Sequence, residues 1–190
     1  MRPRPPRPQR LVFGEIAVEY ERLRPSYPPE LIDRLMAITG VEAGDHALEI
    51  GPPKAADALK PGGWIAMIWN RPDLDGCAWH DDLQPIYKRI TPGMEHGVRR
   101  WFSNSVPWSV EQLERGGRFG PPVQHVAPWT ATYTTDGYMA VLNTHSDKRM
   151  LPDDQRAALF DGIRASLDAG GGVIEHPYVA ELVAAPVLDR

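Results

Sequence analysis

A short apolar run, His46-Ala-Leu-Glu-Ile-Gly51, ends in an acid and a glycine, which makes Glu49 and Gly51 the first candidates for gripping a ligand. A glycine at the mouth of a strand lets the backbone approach a bound group and aim N–H donors at it. Taken alone, Glu49 reads more readily as a solvated or helix-capping carboxylate at a strand end. Six histidines, His46, His80, His96, His125, His145 and His176, show no His-x3-His or Glu-x-x-His spacing, so no metal site is expected. His145-Ser146-Asp147 holds the residue types of a hydrolase triad. Adjacent residues seldom bring three side chains into line, however, and no nucleophile elbow accompanies them. The tryptophans read as core or lid packing, with Trp69, followed by Asn70, as the exception at the end of an apolar run. Gly170-Gly-Gly172 follows a helical stretch instead of opening one, so it reads as a stop and not as a phosphate loop.

These residues need elements to position them. Residues 13–35 read as helical up to the break Pro25-Ser-Tyr-Pro-Pro29, and a second helix runs from Pro29 to Ile38 with Gly40 as its stop. His46–Gly51 reads as a buried strand, Lys54–Lys60 as a short helix and Trp64–Trp69 as a second buried strand, which together predict a parallel α/β layout. Residues 71–122 are irregular, with helices expected at Asp81–Ile90, where His80-Asp81-Asp82 marks the start, and at Val110–Glu114. A strand at Val123–Thr134, a helix at Thr135–Thr144 and an amphipathic helix at Pro152–Ala169 follow. Val173–Val183 is the expected last strand, and Pro177 within it suggests a bend or an edge position.

Composition narrows the class. With 190 residues, 42% hydrophobic and 24% charged, the chain is long enough for one globular domain. A lone Cys77 excludes an intrachain disulfide. The first ten residues carry four Arg and four Pro, so residues 1–10 read as a disordered solvated tail and 11–190 as a single domain. A polyproline II ligand and a basic arm are the sharper alternatives for that tail. The overall net charge is −4, and without the four tail arginines it is −8 (−4 − 4), which argues against nucleic acid as a partner. With no apolar run near the length of a membrane span, the expectation is a soluble, cytoplasmic protein with no membrane partner.

Several segments, in order, resemble one family. Phe13-Gly-Glu-Ile-Ala17, Tyr20, Arg24-Pro-Ser-Tyr-Pro28, Gly44-Asp45-His-Ala-Leu-Glu-Ile-Gly51, Leu59-Lys-Pro-Gly-Gly63 and Trp69-Asn70 look like a class I S-adenosylmethionine-dependent methyltransferase. Asn143-Thr-His-Ser146, Leu151-Pro152, Arg156, Leu159 and Ile163 match its small-molecule branch. The resemblance implies S-adenosylmethionine as cofactor, a small-molecule substrate, and methyl transfer that works mainly by placing the acceptor. It makes Glu49 and Gly51 remnants of the cofactor loop and Tyr20 and Arg24 remnants of an N-terminal lid that also serves the cofactor. Trp69 and Asn70 become part of the substrate pocket at a strand's carboxyl end. No catalytic residue is implied.

The resemblance breaks at Pro52-Pro53, because the family's acid-x-Gly-x-Gly stops after Gly51 and neither proline offers an N–H. On the order of 60–80 residues that would carry the ribose-binding acid and three strands are missing, since a βαβ unit takes 30 or more. The expected fold is therefore an α/β, shrunken Rossmann-like sheet of about four strands flanked by helices. Twelve residues, Pro52 to Gly63, just suffice for strands 46–50 and 64–69 to become parallel neighbours. The first strand would then be an open edge that invites homodimerisation. Cofactor binding should be impaired, and the alternative function is a non-catalytic remnant acting as a binding or dimerisation module.

Overall fold

The computed structural model describes residues 22–42, 45, 59–60, 62–94, 105–115 and 117–188. The Arg/Pro tail, residues 13–21 of the expected first helix, the strand expected at 46–51, the Pro52-Pro53 seam and most of the helix expected at 54–60 lie outside them. In chain order the elements are α1 (Pro29–Thr39), β1 (Trp64–Pro72), α2 (Ala78–Ile90), α3 (Ser105–Glu114), β2 (Val123–Thr134), α4 (Thr135–Asn143), α5 (Ser146–Arg149), α6 (Asp153–Ala169) and β3 (Val173–Pro186). The described residues divide into two compact units: a helical unit from within 1–26, 74–97 and 130–176, and a sheet unit from within 27–73, 98–129 and 177–190. β2 and β3 contribute residues to both.

In the sheet unit, α1 forms where the sequence signals place it. Pro28 is held extended by the proline after it, Pro29 takes the first helical position, and Gly40 closes the helix at φ 67° with its N–H on the Met36 carbonyl. β3 alternates buried and exposed residues up to His176 and is then buried without a break from Tyr178 to Ala185. Both faces of that stretch are covered. Val183 and Ala185 pack with Ile65, Met67 and Leu113 of α3 on one side. Ala180, Leu182 and Ala184 pack with Leu31 of α1 and Ala127 on the other.

The sheet differs from the expected strand count: it has three strands among the described residues, not about four, in the order β1-β3-β2. The parallel pairing expected between strands 46–50 and 64–69 involves residues outside the described ones. β1 pairs antiparallel with β3, from Trp64 opposite Pro186 to Pro72 opposite Tyr178, so that β3 stands between β1 and β2. The physical reason is β3 itself: a run buried on both faces needs a neighbour at each edge, so it takes the central place. Pro177 therefore stands in the central strand and not in an edge strand. Its missing N–H is tolerated because it falls at the last rung, where the Pro177 carbonyl accepts from Asp73 N–H at 3.0 Å just beyond the end of β1.

The helical unit is built on α2, α4 and α6, whose Leu83, Tyr87, Tyr138, Leu142, Leu159 and Ile163 form one buried cluster. α2 starts at Ala78, three residues earlier than expected, and Trp79 in its first turn donates from Nε1 to the Glu175 carbonyl at 3.0 Å. α3 likewise starts at Ser105 and not at Val110. Gly162 lets α6 approach α2: a Cβ there would stand 2.8 Å from Ile86 Cγ2. Among the described residues no helix is long and apolar enough to cross a membrane.

Candidate functional site

The connection from α4 through α5 into α6 belongs to the helical unit, and local chemistry holds it in shape. Thr134 caps α4 by accepting from Gly137 N–H at 3.1 Å. Thr144 Oγ1 donates back to the Val141 carbonyl at 2.6 Å, and His145 N–H donates to the Leu142 carbonyl at 3.0 Å, which ends the helix. Arg149 N–H reaches the His145 carbonyl, and Pro152 then starts α6. A cavity of about 340 Å³ opens beside this connection, lined by Asn143, Arg149, Asp153, Arg156, Ala157 and Phe160. Arg156 Nη2 meets Asp153 Oδ1 at 2.9 Å across one turn of α6. That volume lies at the small end of ligand pockets.

The same connection carries buried charge. Lys148 is 5% exposed, its Nζ is 2.9 Å from Asp147 Oδ2, and it sits 5.0 Å from the centre of the Tyr87 ring. Burial, reinforced by the charge of Asp147, pushes the Tyr87 hydroxyl above its ordinary value. Burial also works to raise Asp147, but the Lys148 ammonium, its hydrogen bonds and His145 outweigh it, and the carboxyl lies below its usual value. His145 is pushed down to about 4, first by burial and then by Arg24, with Lys148 and His176 adding to the effect and Asp147 opposing it. Near neutral pH its imidazole is therefore uncharged and able to accept a hydrogen bond or a proton. His176 is itself buried among the rings of Trp79, Tyr133 and Tyr138, with centroids 5.4–6.0 Å away.

Of the residues singled out in the sequence, Tyr20, Glu49 and Gly51 lie outside the described residues. Arg24 stands in the helical unit, within electrostatic reach of His145. Trp69 and Asn70 stand on β1 in the sheet unit. Trp69 meets Trp108 edge-on at 6.5 Å, and Asn70 Oδ1 accepts from Trp129 Nε1 at 3.1 Å while Trp129 stacks on Tyr178 at 5.1 Å. That bond gives Asn70 an architectural task. The triad residue types in His145-Ser146-Asp147 do not assemble as a triad, because both Asp147 oxygens accept from Lys148, one from its N–H and one from Nζ.

Lys148, Tyr87 and Arg149 were not legible as site residues from the sequence. The one signal for Lys148 and Arg149 is a dense polar run, His145 to Arg149, ahead of Pro152, and Tyr87 has none. Among the described residues no three His, Cys, Asp or Glu side chains are grouped so as to hold a metal ion. Set against family models and curated proteins, the chain matches none of them.

Proposed function

We propose that the chain is a small-molecule methyltransferase by descent, Rossmann-like in its α/β fold and shortened between Gly51 and Lys54, with impaired binding of S-adenosylmethionine. The reading is carried by the order of its motifs, from Phe13-Gly-Glu-Ile-Ala17 to Arg156. It is supported by Asn143 and Arg156, two members of the C-terminal motif, lining one cavity. In such a protein an acceptor is placed and desolvated, which asks little of acid–base groups. Impaired binding follows from Pro52-Pro53, which supplies no N–H where the family's loop would present donors. Each charged hydrogen bond lost costs about 1.5–3 kcal/mol.

The alternative is a non-catalytic remnant that serves as a binding or dimerisation module, favoured by the same seam. Calorimetric titration of S-adenosylmethionine and S-adenosylhomocysteine, with a thermal melt of the same sample, separates the two. Micromolar binding supports the enzyme. A folded chain that takes up neither compound supports the remnant. Homodimerisation through an edge strand is checked by size-exclusion chromatography with light scattering, where a clean monomer removes it.

A further inference from the structure

We infer that the cavity lined by Asn143, Arg149, Arg156 and Phe160 is a binding site for a small organic anion, one with a carboxylate or phosphate head and a short apolar body. This inference is independent of methyl transfer and needs no S-adenosylmethionine for its test. Arg149, Arg156 and Asn143 line the same space of about 340 Å³, together with the apolar side chains of Ala157 and Phe160. A guanidinium offers planar, paired N–H donors that match a carboxylate or a phosphate, and with five donors it can serve a ligand beside the partners it already has.

One carboxylate, Asp153, also lines the cavity and already engages Arg156. The pair is lopsided: the Asp153 side chain is 94% exposed and that of Arg156 only 34%. Exposed pairs of this kind are weakly held, and the bond uses one of the five N–H donors of the guanidinium. A ligand carboxylate or phosphate can therefore take over Arg156 while Asp153 turns to water. Asp153 then acts as an internal competitor of the ligand, which fixes the sign of its removal: affinity should rise.

The test uses the full chain with benzoate, phenyl phosphate and neutral benzamide, titrated by calorimetry, with a thermal melt of each variant. Benzoate or phenyl phosphate should bind at least about tenfold more tightly than benzamide, a difference that corresponds to loss of one charged hydrogen bond. The ratio between the two anions tells which head group the cavity prefers. Arg156→Gln should weaken anion binding about tenfold or more, as should Arg149→Gln, and Asp153→Asn should tighten it about threefold. If Arg149→Gln fails to fold, the more peripheral Arg156→Gln decides. Equal binding of benzamide and the anions, no binding of either anion, or weaker binding by a folded Asp153→Asn would each overturn the proposal.

Discussion

Lys148 and His145 are three residues apart and lie in different surroundings. Lys148 pairs with Asp147 and faces the Tyr87 ring, while His145, desolvated by burial and crowded by Arg24 and Lys148, is held neutral. Lys148→Ala removes the ion pair, the contact with Tyr87 and the packing of the aliphatic stem. It should cost about 1–3 kcal/mol in urea unfolding. NMR titration of the same variant should show the Asp147 carboxyl returning toward its ordinary value. His145 gives a pH signature. Its pKa falls from 6.5 in an unfolded chain to about 4 in the fold, so between those values the unfolded chain binds more protons and stability rises with pH. Acidification from pH 6.5 toward 4 should therefore remove up to about 3 kcal/mol. The loss of Asp147's contribution follows only at still lower pH, as pH falls through its depressed value. His145→Asn should flatten the upper part of that profile, and an unchanged slope would refute the assignment. The His145 shift was not legible in the sequence, because it depends first on burial and then on Arg24 being brought to a residue 121 positions away (145 − 24).

Two glycines show how different the constraints on single elements are. Gly40 ends α1 at φ 67° with open space around its missing side chain, so Gly40→Ala should cost about 1 kcal/mol through backbone conformation alone. Gly162 lies inside α6 and is limited by its neighbour, since a Cβ would stand 2.8 Å from Ile86 Cγ2. Gly162→Val should cost about 1–3 kcal/mol by overpacking. Combining Gly162→Ala with Ile86→Ala should give a chain more stable than Ile86→Ala alone, because the clash is gone and alanine favours the helix by about 1 kcal/mol. Equilibrium unfolding of the three variants checks this. Gly40 was recognisable as a stop because its signal is local: it follows a Pro-initiated amphipathic stretch. Gly162 gave no such signal, since only the approach of α2 makes it necessary.

At the scale of the molecule, the charge is −4 and the basic tail holds four of its 21 basic residues. Deleting residues 1–10 should leave the thermal midpoint unchanged and shift the net charge to −8 (−4 − 4). A lowered midpoint in calorimetry would mean that the tail contributes to the fold. The sequence by itself determined where most elements lie, as for α1 between Pro29 and Gly40, β2 over Val123–Thr134, and α6 ending before Gly170, because propensity, capping and periodicity act over a few residues. Only the tertiary structure decided that β3 is central, that β1 pairs with it antiparallel, and that Asn143 and Arg156 share a cavity with Arg149. The pairing of β1 with β3 joins residues more than 100 positions apart and is settled by which runs can be buried on both faces. A proline such as Pro177 is read locally as an edge, whereas its cost depends on where its partner strand stops.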